Sequence, residues 1–283
     1  MDKPIGEEYG MNIYYQNDER PVNMSPHFHY LHEIIFVVEG SSEFTFGEKR
    51  YVTKPNTLVF ISCLENHSLR MLEYPYKRYV ITMNSDFTQM MLKQPALLSV
   101  LLQRPADFCH TVTLDTQISE VITGIFDRLL SECNNKEDFW LENTAAILME
   151  MLVTLYRYSS GIFPVNESTG SFKIVFDIQK YIAKNYQSEI SLDGLSKIFF
   201  VSKFYISRIF KKITGYKYKD YLILYRLSIA KEILFSTSNS VTDICAHCGY
   251  NNVNHFIRIF KSYVGMSPNQ YRKLKAIKHL NKG

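Results

Sequence analysis

Residues 206–221 read ISRIFKKITGYKYKDY and residues 256–271 read FIRIFKSYVGMSPNQY. Overlaid at an offset of 50, the stretches share Arg208/Arg258, Ile209/Ile259, Phe210/Phe260, Lys211/Lys261, Gly215/Gly265 and Tyr221/Tyr271. Upstream, Ser191-Leu192-x-x-Leu195 parallels Ser240-Val241-x-x-Ile244 with a shift of one residue. Self-similarity this long marks two copies of one supersecondary unit. Each copy has a short helix, a tight turn and a longer helix, which is helix-turn-helix order. The units are expected at 192–213 and 241–263.

The longer helices divide into two faces. Ile206, Ile209, Phe210 and Ile213 form the expected buried stripe of the first, and Phe256, Ile259, Phe260 and Tyr263 that of the second. Lys203, Phe204, Ser207, Arg208 and Lys211 are left outward in the first copy. In the second the outward set is Val253, Asn254, Ile257, Arg258 and Lys261, with Asn252 just ahead of the helix. These side chains suit groove reading. Arg pairs with both guanine acceptors, Asn with adenine, apolar groups with the thymine methyl, and Lys neutralises phosphate. A helix over 217–235 joins the copies. Nineteen residues at 1.5 Å each span roughly 28 Å, close to one turn of B-DNA at about 34 Å.

Charge separates the chain in the same way. Residues 1–170 carry 13 Lys and Arg against 22 Asp and Glu, a balance of −9; residues 171–283 carry 19 against 6, a balance of +13. A basic half behind an acidic one suits a polyanionic partner. With 46% hydrophobic and 21% charged residues among 283, the chain has enough apolar material for two globular cores. No apolar run reaches the length of a membrane span. Met1–Gly10 carries Asp2, Glu7 and Glu8 with no apolar core, unlike a secretory leader. Five dispersed cysteines make a poor disulfide framework, which fits a reducing cytoplasm. Cys245-Ala-His-Cys248 falls within a helix and reads as two small core residues.

The acidic half begins with strands. Residues 33–39 (EIIFVVE), 42–46 (SEFTF) and 57–62 (TLVFIS) are β-rich, punctuated by Gly40, Gly47, Pro55 and Asn56, as in a sandwich or barrel. Two amphipathic helices follow within 115–158. Ile118, Val121, Ile122, Ile125, Phe126, Leu129 and Leu130 line one, and Ala145, Leu148, Met149, Leu152 and Leu155 the other. Such a hairpin either caps the barrel or forms a dimer contact. Residues 161–171 (GIFPVNESTGS) read as a linker. Ser191, Ser202 and Ser240 are expected as helix N-caps, and Gly215, Gly249 and Gly265 as residues just past helix ends.

From about 172 to 275 the sequence resembles the AraC/XylS family of bacterial regulators. The likeness is densest in CGYNNVNHFIRIFKSYVGMSPNQYR (248–272) and also takes in Ser202, Ile206, Phe210, Gly215, Tyr221, Arg226, Ala230, Leu234 and Ile244. The family's small Ala in the first helix of each unit is replaced by Ser196 and Cys245. The resemblance implies an α+β multidomain chain. A cupin-like β-barrel with a helical dimerisation hairpin occupies 1–165, and an all-α DNA-binding domain with two helix-turn-helix units occupies 172–278. It further implies a homodimer on double-stranded promoter DNA, contact with RNA polymerase, and control by a small-molecule effector such as a sugar. No cofactor and no catalysis are implied.

His27-Phe28-His29, Glu33 and Gly40 fit the first cupin motif, H-x-H-x3-E-x6-G, and His67 falls in the region of the second. Two or three His with a Glu form a competent metal set, so a metal-binding cupin enzyme fused to a DNA-binding module is the alternative reading. Pro21 replaces a motif glycine, and Asn56-Thr57 replace the usual glycine pattern of the second motif. The expectation is therefore an effector pocket lined by His27, His29, Glu33 and His67, without metal. His32 alternates with Glu33 on a strand and is expected to point elsewhere.

Overall fold

The computed structural model describes residues 10–90, 94–164 and 169–273. The acidic N-terminal residues, positions 165–168 of the expected linker and positions 274–278 of the expected DNA-binding domain lie outside these. The chain divides into two compact units, the first taking in residues up to 173 together with 212–215, the second residues 174–211 and those from 216 on.

Among the described residues the first unit carries seven strands: β1 (Met11–Asp18), β2 (Met24–His27), β3 (His32–Phe46), β4 (Lys49–Thr53), β5 (Thr57–Ile61), β6 (His67–Met83) and β7 (Thr111–Thr113). They form one antiparallel sheet in the order β1-β6-β3-β5-β7, with β2 added to β6 and β4 to β3. The two strands expected at 33–39 and 42–46 are one continuous strand. Gly40 is a bend within β3, not a turn: the β3–β6 register shifts between Val37 and Ser42. Gly40 has φ +77°, and a Cβ there would lie 2.6 Å from the Pro75 carbonyl oxygen and 2.7 Å from that of Glu73. Only glycine allows the partner strand so close.

The bend folds the sheet around an apolar interior. Ile35 and Val37 of β3 meet Phe44 and Phe46 of the same strand, with Val59, Ile61, Leu69, Met71, Tyr76 and Val80 completing the cluster. Helices α1 (Ser85–Met90), α2 (Pro95–Leu102), α3 (Thr116–Asn135) and α4 (Trp140–Tyr158) follow β6, with β7 between α2 and α3. Asp115 caps α3 by accepting from the Ile118 N–H. Phe126 of α3 stacks on Phe36 of β3 at 5.3 Å, and the Tyr79 hydroxyl donates to Asp127. The hairpin thus covers the opposite face of the sheet. Its stripe is rotated from the expected one. Thr144, Ile147 and Met151 are buried beside Leu148, Leu152 and Leu155, while Ala145 and Met149 are half-buried and Val121 is 47% exposed.

The second unit is helical. It contains α5 (Thr169–Asn185, starting ahead of the boundary), α6 (Leu192–Phe199), α7 (Lys203–Thr214), α8 (Tyr218–Ser236), α9 (Val241–His247), α10 (Val253–Val264) and a helical stretch over 268–273. Ser191 and Ser240 cap α6 and α9 by accepting from the N–H three residues on. Ser202 and Asn252 do the same for α7 and α10, through Tyr205 and His255. Phe210 packs edge-on against Tyr221 at 5.1 Å, and Phe260 against Tyr271 at 5.8 Å, so the repeat in sequence is a repeat in contact. The joining helix α8 buries Tyr221, Leu222, Leu224, Leu227, Ala230 and Leu234, which point all round its axis. A helix buried on every side lies inside its unit. Arg226 of α8 donates to the Tyr186 and Ser188 carbonyls, each at 2.8 Å, and holds the C-terminal end of α5. Among the described residues no helix is long and apolar enough to cross a membrane.

Gly40→Ala should lower stability by roughly 2–4 kcal/mol, the sum of a left-handed alanine and an overpacked contact. Gly47→Ala, at φ +58° in open space, should lose only about 1 kcal/mol. Urea unfolding followed by far-UV circular dichroism compares them, and equal losses would remove the close approach as the cause.

Candidate effector pocket and nucleic-acid interface

Strand pairing sets up the polar site of the first unit. His27 at the end of β2 lies opposite His67 at the start of β6, and their rings are 4.2 Å apart. The next residue, Phe28, is buried, and His29 follows with its ring 5.1 Å from His67. The Leu64 N–H donates to the His29 carbonyl at 2.7 Å and pins that turn. Glu33 is near the start of β3, on the same face as Ile35 and Val37. Its carboxylate lies 3.5 Å from His29 Nε2 and 3.9 Å from His67 Nε2. The four residues singled out in the sequence therefore come together. His67 is buried; His27, His29 and Glu33 are half-buried.

Each ring is held the same way. Nδ1 of His27, His29 and His67 faces the carbonyl of Ser25, Leu31 and Glu65 at 2.9, 3.0 and 2.9 Å. A carbonyl only accepts, so these nitrogens donate and each neutral ring keeps its lone pair on Nε2. Burial pulls the Glu33 carboxyl upward, but His29, His67 and His27 outweigh it and hold the group down at about 2. Burial lowers His67 to about 4 against the pull of Glu33. At neutral pH the cluster is an anionic carboxylate beside a neutral, buried His67.

A second polar group adjoins it and has no local sequence signal. The Glu65 carboxylate accepts from Arg104 Nε at 2.8 and 2.9 Å and meets His110 Nε2 at 2.7 Å. The His110 ring stacks on Phe46 at 3.9 Å, and Phe46 is 6.1 Å from His67. Arg104 and His110 come from the segment between α2 and β7, far along the chain. His32 takes no part in the His27 cluster: its Nδ1 accepts from the Cys63 N–H at 3.1 Å.

In the second unit the expected faces of α7 separate cleanly. Ile206, Ile209, Phe210 and Ile213 are buried, while Lys203, Phe204, Ser207, Arg208 and Lys211 are exposed. In α10, Phe256 and Phe260 are buried, Ile259 is half-buried, and Tyr263, expected inside, is 39% exposed. Arg258, Asn254 and Lys261 are exposed; Val253 and Ile257 are half-buried. Asn252 uses its side-chain oxygen as the cap of α10. Lys203 pairs with Asp193 of α6 at 2.8 Å. Sequence reasoning missed Phe200, which is 92% exposed in a left-handed conformation at the end of α6; Phe204 on α7 is 78% exposed. Cys245 and Cys248 are buried free thiols, and burial pushes Cys248 up to about 12.

Two family models match this chain, one described as an AraC-like ligand binding domain over residues 10–147, the other as a helix-turn-helix domain over residues 195–274. The chain belongs to the AraC family. It is a DNA-binding transcription regulator with an effector-binding domain. The HTH-type transcriptional regulator YdiP of Escherichia coli (strain K12) is 28% identical over 257 residues, 87% of this chain and 80% of that protein. The HTH-type transcriptional activator RhaS of Enterobacter sp. (strain 638) is 24% identical over 255 residues, 87% of each. The unsaturated fatty acid-bound structure of ToxT from Vibrio cholerae is similar with a TM-score of 0.60 at 13% identity, covering 93% of this chain and 94% of that one. That likeness shows a shared fold.

Acid should destabilise this AraC-family sensor domain above the range where carboxylates titrate. Burial, aided by Arg104, lowers His32 to about 3, and His67 shifts the same way. Between the ordinary histidine value near 6.5 and these lowered values the unfolded chain binds protons that the folded chain does not. Stability is therefore full above about pH 6.5 and falls on acidification by up to about 1.4 kcal/mol per pH unit for each histidine. Glu33 and Glu65, both at about 2, add losses only below about pH 4.5. Urea midpoints from pH 6.5 to 4.5 should fall, and His32→Asn should flatten the slope; parallel curves would exclude His32 as a source.

Proposed function

We propose that this AraC-family chain is a cytoplasmic, homodimeric transcription activator. It binds double-stranded promoter DNA through both helix-turn-helix units and recruits RNA polymerase in response to a sugar or related small metabolite. The observation that carries the DNA reading is the equivalence of α7 and α10. Same-register residues, Arg208 and Arg258, stand exposed on both, each in a row with Lys211 or Lys261. In this reading Lys203, Phe204, Ser207, Arg208 and Lys211 enter one major groove. Val253, Asn254, Ile257, Arg258 and Lys261 enter the next, and Asn252 orients the second helix as its cap. The domain limits are 1–165 and 172–278.

The effector enters the first unit at His27, His29, Glu33 and His67. A carboxylate beside three imidazoles offers hydrogen-bond partners suited to hydroxyl groups, and Phe46 supplies an aromatic face next to them. The hairpin α3–α4 carries the dimer contact on the face away from the sheet, where Val121 is exposed. A ligand-binding unit joined to a DNA-binding unit favours regulation by binding over catalysis. The activator named among the relatives favours activation.

Fluorescence anisotropy with promoter DNA tests the interface. Arg258→Ala and Arg208→Ala should each weaken specific binding by about 1–3 kcal/mol, and log affinity should fall steeply with log salt. A flat salt response or unchanged affinity in both variants would refute the assignment. A thermal-shift screen of sugars and other small metabolites should find one that stabilises the parent protein, with Glu33→Gln abolishing the response. A stabilising effector whose effect is untouched by Glu33→Gln would move the site elsewhere.

A further inference from the structure

We propose that His27, His29, His67 and Glu33 form a binding site for one divalent first-row transition-metal ion in the sensor domain. The inference rests on the placement of the effector site at these residues and names an ion as one of its ligands.

Three observations carry it. One ring nitrogen from each histidine lies within 4.8 Å of those of the other two, and the Glu33 carboxylate stands within 3.9 Å of two of them. Bonds of about 2.0–2.1 Å from a metal to imidazole place ligand atoms roughly 3–3.5 Å apart, so the ion has only to draw the set slightly inward. All three Nδ1 atoms donate to backbone carbonyls, of Ser25, Leu31 and Glu65. This is the outer arrangement that fixes the tautomer of metal-ligating histidine and leaves Nε2 to bind. An ordinary sugar pocket has no need for three imidazoles held in one tautomer by three separate carbonyls. The third observation is burial: His67 is buried and the His29 Nε2 atom is shut off from water, while His27 is half-buried, so the ion and any second ligand enter past His27.

The ligand set also indicates the class of ion. Three imidazoles and one carboxylate suit zinc, iron, nickel or manganese. A site without thiolates does not favour copper(I), and calcium and magnesium prefer all-oxygen ligands. Pro21, Asn56 and Thr57 replace motif glycines and in sequence weigh against a metal. Those positions affect turns, whereas the ligands and the carbonyls that orient them are all in place.

The test uses the full chain, stripped with a chelator and titrated with cobalt(II) as a spectroscopic probe, then with zinc(II) against a chromophoric chelator. One equivalent of cobalt(II) should bind per chain, with visible absorption that zinc(II) abolishes. His27→Ala and Glu33→Gln should each weaken zinc(II) binding by about 100-fold or more, beyond the usual effect of an outer-shell change. His27 is half-buried, so its loss leaves no deep cavity; if Glu33→Gln unfolds the first unit by circular dichroism, His27→Ala alone decides. Substoichiometric cobalt(II), or zinc(II) affinity unchanged in a folded His27→Ala variant, overturns the proposal. The metabolite screen on the stripped chain separates this failure from that of the pocket. A metabolite response lost in Glu33→Gln, without metal binding, overturns the ion and leaves the pocket standing. Absence of both overturns both.

Discussion

The first unit depends on one bent ladder. Strands β3 and β6 pair from His32↔Met83 at one end to Phe46↔His67 at the other. Drawn straight, the thirteen residue steps from Glu33 to Phe46 would span about 43 Å at roughly 3.3 Å per residue. Yet Glu33 stands 3.9 Å from His67, the partner of Phe46. The ladder closes on itself because Gly40 lets β3 turn against the Pro75 and Glu73 carbonyls, which no Cβ could approach. Interior packing follows from that closure, since it brings Ile35 and Val37 against Phe44 and Phe46. So does the polar site, where Glu33 and His67 from the two ends of one ladder are brought face to face beside His27 and His29.

The second unit is organised by repetition rather than by closure. Each copy places a capping residue ahead of its longer helix, Ser202 or Asn252, and an edge-on Phe–Tyr pair behind it. Capping fixes where the helix begins and the aromatic pair fixes its rotation, so together they decide which side chains remain outside. That is why the exposed rows of α7 and α10 correspond. The joining helix α8 cannot be amphipathic, because both copies and α5 pack around it. Its all-round burial would mislead any reading that looked for a polar face.

Legibility in the sequence differed between the two halves for a physical reason. Helix faces and caps are local, set by residues three or four apart, so eight of the ten side chains expected outward are exposed, Val253 and Ile257 being half-buried, and Asn252 emerged as a cap. Tyr263 failed because its phenol keeps its polar end at the surface, where it meets Asp220, whereas Ile213 at the same repeat position is wholly apolar and buried. Glu65, Arg104 and His110 were invisible because their contacts join segments some forty residues apart and no local pattern marks such a triad. The hairpin stripe was read about one residue out of phase because polar Thr144 is buried beside the apolar line.

The sequence by itself determined the repeat, the basic and acidic halves, the helix caps, and the residue types of a polar cluster at His27, His29, Glu33 and His67. Those follow from periodicity, composition and short-range hydrogen bonding, which are properties of neighbours. Only the tertiary structure decided that β3 is one strand and not two, since a glycine between β-rich runs is compatible with either a turn or a bend. Only it decided that the imidazoles converge with their Nδ1 atoms fixed on backbone carbonyls. The direction of a side chain depends on which distant strand lies opposite, and strand register is settled by the packing of the whole sheet.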